Sequence, residues 1–189
     1  MTVPRQLEMR RRTLEDLPEI QLSPGCELRS YQHGDEEHWA RIMNHCIGTK
    51  WTAERCLAEL VQRAEFDPEG CLFAVVEGLP QGTATAWQKA ELRGDTGYLH
   101  MVGVAPDFRG RGLGHMVTLA ALRWFREQGY RRVILHTDGW RLPAIRTYLR
   151  LGFQPVLFND EHTHRWEAVR SRLSPQRPDS VGALDDRSP

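Results

Sequence analysis

Between Cys26 and Leu173 apolar residues recur with two different spacings, and each change of spacing marks an element. Glu27 to Tyr31 reads as a first strand, and Asp35 is placed to cap a helix carrying Trp39, Ile42 and Met43. A second helix is expected from Thr52, because Cys56, Leu57, Leu60, Val61 and Ala64 recur at helical spacing until Asp67-Pro68-Glu69-Gly70 stops them. Cys71 to Val76 is a short apolar run, Gly78 to Gly82 is turn-like, and Thr83 to Gln88 alternates as its hairpin partner. A turn around Gly94-Asp95 leads into a strand from Tyr98 to Val104. The pattern then becomes a glycine-rich turn, a long helix, the strand Val133-Ile134-Leu135, a short helix and a last strand from Phe153. Strands that first meander and are then separated by helices imply a mixed sheet with helices on its faces.

The two ends break this pattern. The first residues mix charge with Pro4, Pro18 and Pro24, and the segment after Leu173 is rich in Ser, Pro, Asp and Arg. Both read as mobile or loosely docked, which gives an N-terminal extension over 1–25, one folded domain over 26–173 and a disordered tail over 174–189. A chain of 189 residues is short for two separately stable cores.

The 25 basic and 25 acidic residues cancel, so no overall field attracts nucleic acid or an anionic membrane. Arg10-Arg11-Arg12 is too short and too close to Glu8, Glu15 and Asp16 to act as a nucleic-acid arm. The four cysteines show no CxxC spacing, and no leader or membrane-length apolar run accompanies them, so reduced, packed thiols in the cytoplasm are expected. His162-Thr163-His164 lacks a third metal ligand at regular spacing and reads as a solvated hairpin; no metal is expected.

Chemistry concentrates in Val102-Gly103-Val104-Ala105-Pro106-Asp107-Phe108-Arg109-Gly110-Arg111-Gly112-Leu113-Gly114, which is a strand feeding a loop of bare backbone into a helix. Glycines at 110, 112 and 114 let main-chain N–H groups converge on an anion, the helix N-terminus favours its charge, and Arg109 and Arg111 add charge-assisted hydrogen bonds. A pyrophosphate is the natural guest. The P-loop string is absent, and the Rossmann fingerprint fails on spacing because His115 follows Gly114.

Arg109-x-x-Gly112-x-Gly114 preceded by Val104-x-Pro106 resembles the acyl-CoA-binding motif of the GNAT N-acyltransferase superfamily. Ala144-x-x-x-Tyr148 followed by Leu151-Gly152-Phe153 is similar to its second signature, and the resemblance extends over roughly Leu72 to Val156. It implies an α/β fold of the α+β type: a central mixed, mainly antiparallel sheet of about seven strands, splayed between the fourth and fifth, flanked by about four helices. It also implies acetyl-CoA as acyl donor. The backbone of Val102, Gly103 and Val104 would pair with the pantetheine arm, and Arg109, Gly110, Arg111, Gly112, Leu113 and Gly114 would hold the pyrophosphate. Tyr148 matches the tyrosine that protonates the departing thiolate; the alternative is a tyrosine packing one helix face. Arg141 stands where the family often has asparagine and receives no role.

His100, alternating with Tyr98 on one strand face, is the first candidate for the base, with a core or surface histidine and a water chain as the alternative; Glu77 and Glu91 are weaker candidates. Trp39 and Trp51 either border the acceptor pocket or pack the core, and Trp140 either lines the cleft or packs. The implied activity is N-acetyl transfer to the amine of a small molecule by direct attack in a ternary complex. The alternative is a catalytically silent acyl-CoA sensor. The stretches Leu99 to Val104 and Arg109 to Gly114 also resemble the mycothiol synthases, although these stretches address the cofactor rather than the acceptor. A homodimer is left open.

Overall fold

A computed structural model describes residues 6–22, 24–89, 91–92 and 94–174. Seven strands form one sheet: β1 Leu7–Arg11, β2 Cys26–Ser30, β3 Phe66–Val76, β4 Leu79–Trp87, β5 Thr96–Val104, β6 Arg132–Thr137 and β7 Gln154–Pro155. Their order across the sheet is β2-β3-β4-β5-β6-β1-β7. Every pairing is antiparallel except β5 with β6. The sheet is therefore mixed and mainly antiparallel, as the resemblance implies.

Two helical layers cover it. On one face, α1 (Glu36–Cys46) and α2 (Ala53–Cys56, widening into a π-turn at Leu57–Val61) bury Trp39, Ile42, Met43 and Leu60 with Phe73, Val75 and Tyr98 of the strands. On the other, α3 (Leu113–Glu127), α4 (Leu142–Arg150) and α5 (Asp160–Leu173) share a core with Leu7, Met9, Leu99 and Leu135. Trp39 and Trp51 meet edge to face at 5.0 Å within the first core, where both pack.

Several expectations are corrected. The segment read as a loosely docked extension supplies β1, which is inserted between β6 and β7 with Leu7 and Met9 fully buried. Its charged residues do not make it a tail: Glu8 and Arg11 are buried, and Arg11 donates to the Leu151 carbonyl and pairs with Asp16. His162-Thr163-His164 lies in α5, not in a hairpin, because Asn159 caps that helix by accepting from the His162 N–H at 3.0 Å. Among the described residues five helices flank the sheet, against the four expected. Asp35 is the N-cap residue of α1, as expected, but its side chain makes no capping hydrogen bond, and its carboxylate is held by both Arg29 nitrogens at 2.6 and 2.8 Å. Asp67 to Gly70 does not precede β3 but forms its irregular start, with a register shift between Phe66 and Cys71. The tail expected over 174–189 lies outside the described residues apart from Ser174.

Candidate active site

β5 and β6 pair only at Thr96, Gly97 and Tyr98, opposite Arg132, Val133 and Ile134. Beyond Tyr98 the two strands part. On its other side β5 shifts register against β4 between Thr83 and Thr85, and Met101 there adopts a φ of 49°. Such a bulge bends a strand and leaves the groups facing β6 without a strand partner. The parting occurs between the fourth and fifth strands counted from Cys26, where the resemblance places the splay. It opens a groove of about 1130 Å³.

One wall of the groove is the backbone of Val102, Gly103 and Val104. Gly103 is required by packing: a Cβ there would come within 2.6 Å of Met43 Cε and 3.0 Å of Cys46 Sγ, so only glycine lets α1 lie this close to β5. The floor is the β5–α3 loop. Gly110 and Gly112 take φ values of 77° and 84°, and Gly112 is the N-cap of α3 with no side-chain cap. The first N–H groups of a 15-residue helix therefore face the groove together with Leu113 and Gly114. Arg146 and Arg150 on α4 line the facing wall and add positive charge. The donor set suits a pyrophosphate.

The arginines of the loop are placed differently from expectation. Arg109 lines the groove, but its guanidinium reaches the Val104 carbonyl at 3.2 Å and the His45 carbonyl at 2.9 Å. Arg111 lies over the Phe108 ring at 4.8 Å and is not part of the groove wall. Arg141, given no role from the sequence, donates to the Cys46 carbonyl at 2.6 Å and to Asp138 at 2.9 Å. Arg109 and Arg141 thus hold the last carbonyls of α1 from two sides, a stabilising arrangement for a helix C-terminus, and fix the width of the groove at this end. The segment Pro18 to Gln21, tied down by Arg123 on the Pro18 carbonyl at 2.8 Å, borders the other end. Arg141, Arg146 and the 18–21 segment were missed because their roles depend on cross-chain contacts. Only the i,i+4 spacing of Arg146 and Arg150 signalled a shared helix face. Trp140 is 63% exposed at the rim.

Tyr148 projects from α4, which starts with Pro143 in its first turn. It is 6% exposed, meets Phe153 edge to face at 5.9 Å and lines the groove. Among the described residues its hydroxyl has no hydrogen-bond partner. Burial pushes its pKa well above the usual phenol range, an effect that Arg141 opposes and that Tyr98 and Cys46 reinforce. The group is a protonated donor with its proton uncommitted.

His100 is not on the groove wall. It packs against Trp87 and Tyr98 at 5.1 and 5.5 Å, and burial, helped by the charge of Lys89, lowers its pKa to about 4. A ring whose folded pKa lies below its usual value near 6.5 stabilises the fold above that value and loses the contribution as pH falls towards 4. Thermal melts are therefore expected to show stability falling by on the order of 2 kcal/mol between pH 6.5 and 4 through this group. His100→Gln should flatten that slope; an unchanged slope would show that His100 does not titrate with folding. Among the described residues no cluster of three metal-ligating side chains occurs, and no helix is long and apolar enough to cross a membrane.

The profile of the acetyltransferase (GNAT) family matches residues 30–153, about two thirds of the chain and all of this groove except the 18–21 segment. The chain belongs to the GNAT acetyltransferase family. Among its relatives are proteins named mycothiol acetyltransferase from Pseudarthrobacter chlorophenolicus, 37% identical over 157 residues and covering 77% of this chain, and from Nocardia farcinica, 36% identical over 165 residues and covering 80%. The matches cover 48% and 54% of those two proteins, so this GNAT chain spans about half the length of the curated relatives it matches. The crystal structure of a GCN5-related N-acetyltransferase from Sphaerobacter thermophilus superposes with a TM-score of 0.63 at 26% identity, covering 80% of this chain and 49% of that one.

Proposed function

We propose that the protein transfers an acetyl group from acetyl-CoA to the amine of a small molecule by direct attack within a ternary complex. One observation carries this reading. A single groove runs from the uncapped, glycine-lined N-terminus of α3 to the unpartnered hydroxyl of Tyr148 beside the β5–β6 split.

In this reading the α3 N-terminus, with Arg146 and Arg150 across the groove, binds the donor's pyrophosphate. The β5 edge past Tyr98 takes the pantetheine arm as an added strand, and its N–H groups polarise the thioester carbonyl. Tyr148 gives its proton to the leaving thiolate. A phenol is a weak acid for a thiolate whose conjugate acid is near 8.5, so the transfer depends on the fixed, water-poor setting that burial provides. The relatives named mycothiol acetyltransferase support an acceptor of that small-molecule type. The four free cysteines support a reducing compartment.

The test is release of CoA thiol from acetyl-CoA in the presence of a panel of amines: mycothiol lacking its acetyl group, glucosamine, aminoglycosides and free amino acids. Amine-dependent thiol release is expected. Acetyl-CoA binding without release for any amine would replace the transferase reading with that of an acyl-CoA-binding module.

A further inference from the structure

The groove extends past the parts used by the thioester and the diphosphate. Its volume of about 1130 Å³ exceeds the roughly 300–1,000 Å³ of a cleft for a drug-sized ligand. The further part runs along α3, where Met116 and Leu119 line it; Leu119 lies roughly 9 Å down the helix from Leu113. Its facing wall is Pro18 to Gln21, from the segment that links β1 to β2. This segment is fastened across α3. Leu14 is buried, and Leu17 and Ile20 pack on the core that α3 shares. Nε and Nη2 of Arg123 both donate to the Pro18 carbonyl, at 3.2 and 2.8 Å, and the spacing of Arg123 puts it on the α3 face of Met116 and Leu119. Cys26, where β2 begins, sets its Sγ 3.8 Å from Met116 Sδ. Residues 19–21 thus lie between two anchors on one helix. Ile20, Met116 and Leu119 give this part an apolar lining. Gln21 is exposed, and its amide makes no hydrogen bond among the described residues, so it keeps both donor and acceptor for a ligand. Glu19 is the one acidic residue among the described residues that line the groove. A carboxylate repels phosphate and accepts from hydroxyl and amino groups, so this part suits a neutral, hydrogen-bonding ring.

We infer that Pro18 to Gln21 form the subsite for the purine nucleoside of the donor, with Arg123 as the positioning residue that holds them there; this rests on the transferase reading above. CoA is linear, with the thioester at one end, the nucleoside at the other and the diphosphate between them. Once the diphosphate sits at the α3 N-terminus and the thioester at Tyr148, the α3 part of the groove is left to the nucleoside. In nucleic-acid recognition a glutamine amide reads adenine by pairing with its N6 and N7, and Gln21 brings the same groups to this wall. The apolar lining takes the faces of the base, and Glu19 keeps the phosphates on the side of Arg146 and Arg150. The amine acceptor does not belong here, because it has to reach the thioester carbon beyond the diphosphate. The segment that carries the subsite comes from the N-terminal side of β2, before the stretch matched by the family profile. Donor recognition in this chain therefore draws on residues outside the glycine loop and its helix.

The test titrates the full chain with acetyl-CoA and with S-acetyl-4′-phosphopantetheine, which keeps the thioester arm and lacks the nucleoside. Gln21→Ala and Arg123→Ala are each expected to weaken acetyl-CoA binding about tenfold and to leave S-acetyl-4′-phosphopantetheine within about twofold of the wild type, and Arg123→Lys should recover part of the loss. Adenosine 3′,5′-bisphosphate should displace acetyl-CoA from the wild type and lose about the same factor in the variants. A segment that only supports the fold would weaken both donors alike, and that result overturns the inference. So does unchanged acetyl-CoA affinity in both variants, or a raised KM for the amine alone, which would give this part of the groove to the acceptor. A wild-type protein that binds no acetyl-CoA removes the transferase reading itself, a result distinct from these. Should Arg123→Ala fail to melt cooperatively, Gln21→Ala decides, since Gln21 is exposed and its loss orphans no partner.

Discussion

Replacing Tyr148 with phenylalanine is expected to lower kcat by about 10²- to 10⁴-fold, the range for loss of a positioned general acid, while acetyl-CoA affinity and thermal stability stay within error. The change is clean because the hydroxyl forms no hydrogen bond within the described protein, so its removal orphans no partner. The ring contact with Phe153 survives in the variant. Burial raises the Tyr148 pKa, so the proton is held throughout the ordinary phenol range and no alkaline loss of kcat between pH 8 and 10 should arise from this group. Stopped-flow or steady-state release of CoA thiol, paired with a binding titration, measures both quantities. Unchanged kcat would reduce Tyr148 to a packing residue.

Removing residues 1–12 is expected to abolish cooperative folding. The deletion takes away Leu7 and Met9, both fully buried, and a strand that pairs with β6 on one side and β7 on the other. Losing two such core side chains costs about 4–10 kcal/mol, comparable with the whole stability of a domain at about 5–15 kcal/mol. The milder Met9→Ala should cost about 2–5 kcal/mol and lower Tm by roughly 5–15 °C. Circular dichroism melts report both. A cooperative transition in the truncated chain within a few degrees of the full-length protein would show that β1 is dispensable.

β1 also shows where sequence reading failed. Its apolar alternation is only Leu7 and Met9, interrupted by Glu8 and Arg10 and followed by two further arginines, so composition points outward. The burial of Glu8 and Arg11 rests on partners at His136, Leu151 and Asp16, of which only Asp16 is near in sequence. The same reason hid Arg141, whose partner carbonyl on Cys46 lies 95 residues away. The glycine loop, by contrast, was legible as a loop because its conformation is set by local backbone: positive φ at Gly110 and Gly112, and a helix start that no side chain caps. The place of Tyr148 on the groove was legible through its spacing from Ala144 and Gly152. His100 was legible as a residue but not as an environment, because strand alternation places a side chain on a face without saying that Trp87 covers it.

The most direct measurement is a calorimetric titration of acetyl-CoA into the wild-type protein and into Gly114→Asp. Gly114 sits in the first turn of α3, and a Cβ there meets only Val104 Cγ2 at 3.4 Å, so the variant keeps the fold while placing a carboxylate where the pyrophosphate is assigned. Micromolar-range binding by the wild type, weakened about a hundredfold or more in the variant, is the predicted result. Equal affinity in the two proteins, or no binding by the wild type, would contradict the assignment of this groove to an acyl-CoA.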